Sequence, residues 1–269
     1  MKFVFFLLLF IEIGFTKDNF KIITEDFPPY NFRDSEGVVQ GISTDLVREL
    51  CKRMGHVKKF EFKEWSEAYN YTIATPETML YSVTRTPMRE KLFKWVGPLV
   101  PIKLVFMARK DRQLQIGNLA DARQVNKIGT YVDDFSEQFL ISKEFRNIES
   151  IKDNRENLRK LIDKEIDLWI VNEPTGNHLA QLANQLEEIE TVHVIQEEYM
   201  YLAFNSETDD AIVNQWQEVF NKMKSDKTYE AIMNKWSKMF GKQDLETLKV
   251  KEIIRVGCIK GSNESSAAK

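Results

Sequence analysis

The sequence is poor in the residues that build metal centres and disulfide frameworks. Cysteine occurs only at Cys51 and Cys258 and histidine only at His56, His178 and His193, and none of them shows metal-ligand spacing. Cys51 falls on an apolar helical stripe, so a buried thiol is expected, although an oxidising compartment would permit a Cys51–Cys258 disulfide. No nucleophile–base pair is evident either. We therefore predict a protein without a metal, a cofactor or a catalytic residue.

The sequence also lacks a strong excess of either charge. Lys and Arg number 38 and Asp and Glu 41, which gives a formal net charge of −3. A nucleic-acid-binding protein would show a basic face, so no nucleic-acid partner is expected. Hydrophobic residues make up 43% of the 269 residues, which is typical of a globular protein with one large or two small domains. We expect the protein to act as a monomer.

Long hydrophobic runs are missing except at the N-terminus. There, Lys2 precedes an uninterrupted apolar run from Phe3 to Ile11, and small or polar residues follow before Lys17. A membrane span needs about 20 apolar residues, whereas a secretory signal peptide has this order of charged, apolar and small residues. We therefore predict a signal peptide over residues 1–16, a mature chain that begins near Lys17, and export to the periplasm.

The remaining chain alternates between strand-like and helix-like patterns, which is typical of an α/β protein with a mostly parallel sheet flanked by helices. Early strands are predicted at 20–24 and 60–62, and Ser43 or Thr44 is expected to cap a helix that runs to Met54. Later strands are predicted at 127–130, 147–151, 166–171 and 191–195, and later helices at 118–123, 134–145, 154–162 and 175–186. A helical pattern from 209 to 240 is interrupted at residues 225–227.

A short helix is predicted after the apolar strand that ends near Tyr81. Thr86 is a good N-cap residue, and Pro87 suits the first helical position because its missing N–H would have no partner there. Arg89 would then lie in the first helical turn, where the macrodipole is already positive. A cation at such a position is unfavourable unless an anion accompanies it.

Arg89 is therefore a candidate anion-binding residue. Its guanidinium, the N–H groups of the helix start and the hydroxyls of Ser82 and Thr84 together form a possible anion receptor. The residues alone leave a second interpretation open, in which Arg89 pairs with a nearby glutamate such as Glu77 or Glu90.

Aromatic residues stand in two loops that follow predicted strands. Asp26, Phe27 and Tyr30 belong to a proline-stiffened loop after the first strand, and Trp65 precedes a helical segment after the second. These rings either cover the core, with Trp65 as a hydrophobic staple, or line a ligand cleft. Local patterns do not decide between the two interpretations.

The segment Ser-Val-Thr-Arg-Thr-Pro-Met-Arg, Ser82 to Arg89, resembles the signature of the family 3 solute-binding proteins, the periplasmic receptors of amino-acid ABC transporters. In that family the pattern Ser-x-Thr-x-Thr-x-x-Arg binds the α-carboxylate of the ligand. It matches Ser82, Thr84 and Arg89 here, and Arg85 belongs to a subgroup pattern that continues to Gly97 and Pro98. The resemblance covers residues 20 to about 240.

The resemblance implies a type II periplasmic binding protein fold with two lobes and two hinge crossings, the crossings near 102–108 and 196–205. The first lobe is expected to comprise residues 17–105 plus 203–240 and the second lobe residues 106–202. Residues 241–269 form a C-terminal extension that is expected to be partly disordered. A ligand would bind between the lobes, and closure about the hinge would bury it.

The resemblance also implies that Phe27 and Trp65 sandwich the ligand. The sequence departs from the family pattern at two places, both in the part of the site that would bind the ammonium group of the ligand. Asn172 stands where the family has an aspartate. The turn after Gly129 also differs from the family pattern and carries Asp133 and Asp134, which either cap a helix or receive a cationic ligand group. The implied function is delivery of a small carboxylate-bearing ligand to an inner-membrane ABC permease. The alternatives are a sensor that presents ligand to a signalling partner and, third, an enzyme on the same fold.

Overall fold

The computed structural model describes residues 20–55 and 59–240. The predicted signal peptide, the extension 241–269 and Cys258 lie outside the described residues, so the cleavage site and the Cys51–Cys258 pairing stay predictions. Cys51 itself is buried on the first helix, as expected.

Eight strands form one continuous sheet. Its strands are β1 (Lys21–Thr24), β4 (Phe60–Phe62), β5 (Thr78–Thr84), β6 (Phe93–Arg109), β7 (Ile128–Tyr131), β8 (Ile148–Ile151), β9 (Leu168–Asn172) and β10 (Ile189–Asn205). Their spatial order is β4-β1-β5-β10-β6-β9-β7-β8, and β2 (Phe32–Arg33) and β3 (Val39–Gln40) form a separate hairpin. β1 is parallel to β4 and β5, and β7 is parallel to β8 and β9. These two parallel groups define the first and the second lobe.

Helices cover the sheet in both lobes. They are α1 (Ile42–Arg53), α2 (Trp65–Ala74), α3 (Leu119–Ala122), α4 (Phe135–Ser142), α5 (Asn154–Ile162), α6 (Glu173–Leu182), α7 (Asp210–Ser225) and α8 (Thr228–Phe240), with 3-10 turns at Lys110–Arg112 and Leu186–Glu188. Within the described ranges, none of these helices has the length and apolar character that a membrane crossing requires. The predicted break at residues 225–227 falls between α7 and α8.

Two long antiparallel strands connect the lobes. β6 and β10 each span 17 residues and pair along almost their whole length. In the second lobe, alternate residues of β6 enter opposite cores: Phe106 contacts the core beneath α3 and α4, and Met107 contacts the core beneath α5 and α6. The predicted two-lobed α/β fold with two crossings is therefore confirmed. The crossings are longer than the predicted strands because the pairing of β6 with β10 continues into both lobes.

Two local predictions are wrong. Residues 86–92 form consecutive turns instead of a helix: the Arg89 N–H donates to the Thr86 carbonyl at 3.0 Å, and the Leu92 N–H donates to the Arg89 carbonyl at 3.0 Å. These turns lead directly into β6 at Phe93, so no helix forms and the macrodipole argument for Arg89 does not apply.

The other wrong prediction concerns the start of α1. Its N-cap is Gly41, and neither Ser43 nor Thr44 caps it, since both are buried inside its first turn. Gly41 has φ +129°, and a Cβ there would lie 2.2 Å from the Tyr30 carbonyl oxygen. Only glycine allows this close approach, which holds the loop after β1 against the start of α1.

Candidate functional site

A cleft lies between the lobes. The first lobe contributes the loop after β1, the start of α2 and the end of β5 with the turn that follows it. The second lobe contributes the residues that follow β7 and the end of β9. The carboxyl ends of parallel strands thus meet here, which is where α/β folds bind small molecules. The cleft is lined by Glu25, Phe27, Trp65, Ser82, Thr84, Arg89, Ile102, Leu104, Tyr131, Asp134, Phe135, Ser136, Asn154, Ile170, Val171 and Asn172.

Arg89 is the buried cation of this cleft. Its side chain is only 1% exposed, and its guanidinium lies over the rings of Trp65, at 5.1 Å, and Tyr69, at 5.2 Å. Nη1 donates to the Thr84 carbonyl oxygen at 3.3 Å. The Tyr69 hydroxyl also interacts with the guanidinium, whereas Nε and Nη2 have no hydrogen-bond partner among the described residues. Two donors of a rigid planar group are therefore available to a bound anion.

The glutamates proposed as alternative partners of Arg89 do not pair with it. Glu90 instead accepts two hydrogen bonds from Arg85, at 2.8 and 2.6 Å. Arg85 also stacks near Trp95 and Tyr201, and it does not line the cleft. The two predicted arginines thus differ: Arg85 forms an exposed ion pair, and Arg89 faces the cavity.

Ser82 and Asn172 add further polar groups to the cleft. β5 has a bulge at Ser82, because Tyr81 and Val83 pair with successive residues of β10 and Ser82 has no partner there. At this bulge Ser82 has φ +65°. Its Oγ and the Nδ2 of Asn172 are buried without a hydrogen-bond partner among the described residues. A non-glycine residue in this conformation costs about 1–3 kcal/mol, which is typical of positions that a binding site constrains.

Two carboxylates face the cleft from opposite lobes. Glu25 is 5% exposed and accepts a hydrogen bond from the Tyr131 hydroxyl at 3.4 Å. Asp134 is the N-cap of α4 and accepts hydrogen bonds from the Phe135 N–H and, at 3.1 Å, from the Ser136 hydroxyl. Asp134 therefore caps α4 and also lines the cleft, and its role as the receiver of a cationic ligand group stays a prediction.

Burial governs the pKa values of the charged groups in the cleft. It raises the pKa of Glu25 well above the usual value, and the neighbouring charges of Asp134 and Asp26 raise it further. Burial also raises the pKa of Asp134, against the opposing charge of Arg89. The pKa of Arg89 is lowered by burial, while Asp134 and Glu25 act in the opposite direction. The three side chains are thus electrostatically linked.

Two other predicted residues connect the lobes rather than line the cavity. The Asp133 carbonyl oxygen accepts a hydrogen bond from Trp65 Nε1 at 2.9 Å, and its carboxylate accepts one from the Ser66 hydroxyl at 2.8 Å. Asp26 forms an ion pair with Arg155 at 2.5 Å. Both interactions join the first lobe to the second.

Tyr30 lies behind the cleft. It is fully buried in the core of the first lobe, and its hydroxyl donates to Asn172 Oδ1 at 3.5 Å. Of the predicted site residues, the structure therefore brings seven to the cavity wall and leaves Asp26, Tyr30, Arg85 and Asp133 outside it. The seven are Phe27, Trp65, Ser82, Thr84, Arg89, Asp134 and Asn172.

Sequence reasoning missed several lining residues. Glu25 stands directly after β1, so its position at a strand end is a signal, but the site residue predicted from the sequence is the adjacent Asp26. Tyr131 is the last residue of β7, and Asn154 is the first residue of α5. Neither carries a local pattern, because only the tertiary arrangement brings them to the cleft.

Comparisons with known proteins agree with this geometry. Residues 21–239 match the family model described as bacterial extracellular solute-binding proteins, family 3. A similar solved structure is a histidine kinase sensor domain with similarity to periplasmic binding proteins, with a TM-score of 0.75, 21% identity, and coverage of 81% of this chain and 96% of that chain.

Two more similar structures are binding proteins. An ABC uptake transporter substrate-binding protein from Streptococcus pneumoniae with bound histidine has a TM-score of 0.73, 15% identity, and coverage of 84% of this chain and 93% of that chain. An ancestral amino-acid-binding protein, a precursor of cyclohexadienyl dehydratase, has a TM-score of 0.71, 23% identity, and coverage of 81% and 94%. At these identities the structures show a shared fold, and the family match spans most of the sequence. The chain therefore belongs to family 3 of the bacterial extracellular solute-binding proteins.

Proposed function

We propose that this protein is exported to the periplasm, captures a small polar ligand with a carboxylate between its lobes, and delivers it to an inner-membrane ABC permease. Arg89 anchors the carboxylate, assisted by Ser82 and Thr84. Phe27 and Trp65 provide the apolar walls, and Asn172 and Asp134 contact the ligand from the second lobe. The predicted lobe limits, 17–105 plus 203–240 and 106–202, belong to this proposal.

The observation that carries the proposal is the hydrogen bonding of Arg89. Arg89 is only 1% exposed, so its guanidinium has lost most of its hydration, and two of its nitrogens make no hydrogen bond to any described residue. Leaving buried donors unsatisfied costs about 1–3 kcal/mol, and more for charged groups. A planar carboxylate that accepts from Nε and Nη2 would satisfy both donors at once.

The comparisons support an amino-acid-like ligand and a binding role. One similar structure holds histidine, and another is an ancestral amino-acid-binding protein. That second structure is also a precursor of a dehydratase, so the fold is compatible with an enzyme. We favour a binding protein because the cleft is built from one cation, two buried carboxylates and apolar walls, which suits ligand capture.

A thermal-shift screen over amino acids, polyamines, dicarboxylates and small peptides tests the proposal. A ligand at 100 times its dissociation constant should stabilise the folded protein by about 2.7 kcal/mol. The same ligand should stabilise Arg85→Ala equally, because Arg85 lies outside the cleft. The proposal fails if no carboxylate-bearing compound stabilises the wild type.

A sensor role is the second candidate, since one similar structure is a histidine kinase sensor domain. Both candidates bind a ligand in the same cleft, so binding data cannot separate them. Deletion of the gene should abolish uptake of the radiolabelled ligand if the protein serves a permease. Unchanged uptake together with a lost transcriptional response to that ligand would instead favour a sensor.

A further inference from the structure

The charges inside the cleft do not balance. Glu25, Arg89 and Asp134 all line it, and together they would carry a net charge of −1 if all three were ionised. Neither carboxylate forms an ion pair with a residue in the described ranges. Buried charges without partners are costly, so a proton or a ligand cation has to compensate one of the two carboxylates.

The surroundings of Glu25 favour its neutral form. The groups that face it are mostly acidic: Asp134 before α4, its own neighbour Asp26, and Glu64 before α2. Tyr131 at the end of β7 offers one neutral hydroxyl donor, and Arg89, which belongs to the same lobe as Glu25, interacts with Glu25 electrostatically. Arg89 also faces Asp134, so a single positive charge serves two carboxylates.

We propose that Glu25 holds a proton while no ligand is bound, and that a ligand of net charge +1 takes the place of this proton. The inference rests on the proposed function, in which the carboxylate of the ligand binds Arg89. With Glu25 protonated, the charges of Arg89 and Asp134 cancel. A ligand with one carboxylate and two cationic groups then keeps the cleft neutral only if Glu25 becomes ionised.

A zwitterion of net charge zero has the opposite consequence. It leaves the cleft neutral with Glu25 still protonated, so its binding needs no proton release. Ligand charge and proton release are therefore coupled, and affinity for a net-cationic ligand should fall as pH decreases. Between the pKa of Glu25 in the complex and its raised pKa in the free protein, the dissociation constant should rise about tenfold for each unit of pH decrease.

Lysine and norleucine are suitable probes because they share a carboxylate, an α-ammonium and a four-carbon side chain, and only lysine carries the second cation. Calorimetric titrations in phosphate and in Tris, which differ in ionisation enthalpy, report the number of protons released. We expect about one proton released with lysine, none with norleucine, and none for either probe with Glu25→Gln. Lysine binding without proton release would overturn the inference, and an absence of lysine binding would overturn the proposed ligand charge.

A matched control is Glu198→Gln. Glu198 is a half-buried carboxylate on β10 whose pKa is also raised by burial, but it does not line the cleft. Lysine should release the same number of protons with this variant as with the wild type. Equal loss of proton release in both variants would show a general effect of surface charge and overturn the assignment to Glu25.

A ligand-free measurement tests the proton directly. Because the pKa of Glu25 is raised on folding, the folded state binds more protons than the unfolded state, and this contribution is lost as pH rises. From about pH 4.5 up to the raised pKa of Glu25, the unfolding equilibrium constant of the wild type should rise about tenfold per pH unit relative to that of Glu25→Gln. Parallel pH profiles would overturn the inference. They would leave the proposed function intact, since that depends on Arg89.

Discussion

Replacing Arg89 by alanine should weaken ligand binding about thirtyfold or more, because loss of one partner from a desolvated charge pair costs about 2–5 kcal/mol. In the wild type the guanidinium is held by the Thr84 carbonyl and the rings of Trp65 and Tyr69. It is therefore already oriented and need not be ordered on binding. Isothermal titration with the ligand found by the thermal-shift screen measures the effect.

Two further variants make this test specific. Arg89→Lys should restore only part of the affinity, because an ammonium cannot reproduce the planar fork that binds a carboxylate through two parallel hydrogen bonds. Arg85→Ala should have a small effect, since Arg85 is exposed and its charge is paired with Glu90. Equal affinity in the wild type and Arg89→Ala would exclude Arg89 as the anion-binding residue.

The place of Arg89 in the cleft could be predicted from the sequence, although the local structure predicted for it was wrong. The Ser-x-Thr-x-Thr-x-x-Arg pattern pointed to the residue through a family resemblance, which does not depend on its backbone conformation. The predicted helix fails because strand pairing of Phe93 with Asn205 begins β6 early and leaves only turns before it. Tertiary pairing thus overrides the local propensities of Thr86 and Pro87.

The acidic side of the cleft shows what a single sequence does not determine. Glu25 and Asp26 are adjacent and chemically similar, yet Glu25 enters the cavity while Asp26 pairs with Arg155 between the lobes. The choice depends on the direction of the chain as it leaves β1. Two interactions set this direction. Asn31 Nδ2 donates a hydrogen bond to the Glu25 carbonyl oxygen at 2.9 Å, and the backbone of Tyr30 lies close to Gly41. Such contacts within the loop have no signature in the pattern of hydrophobic and polar residues.

The sequence leaves two interpretations of Trp65 open, one in the core and one in the cleft wall, and the position of the side chain fits both. The side chain is 2% exposed and packs with Ile23, Leu80 and other residues between α2 and the sheet. It also lines the cleft, with Arg89 over its ring. Its indole Nε1 donates to the Asp133 carbonyl oxygen of the second lobe, so the same ring contacts the core, the anion-binding residue and the opposite lobe.

Trp65→Ala should therefore reduce both stability and affinity. Truncation of a buried tryptophan costs about 3–5 kcal/mol of unfolding free energy, which chemical denaturation measures. The folded fraction should bind ligand more weakly, by about 1–3 kcal/mol, since Arg89 loses one of the two rings that orient it. Titration under conditions where the variant is fully folded separates this loss from the change in stability.

Trp65→Phe distinguishes the contributions of the ring. It keeps an aromatic face over Arg89 but removes the donor to Asp133, whose carbonyl oxygen keeps the hydrogen bond from Gln138 Nε2 at 3.2 Å. Loss of one such hydrogen bond costs about 0.5–1.5 kcal/mol, so this variant should be far milder than Trp65→Ala in both measurements. Wild-type affinity in folded Trp65→Ala would show that the ring serves the core alone. Wild-type stability with weakened binding would show the reverse, that Trp65 acts on the ligand and contributes little to the fold.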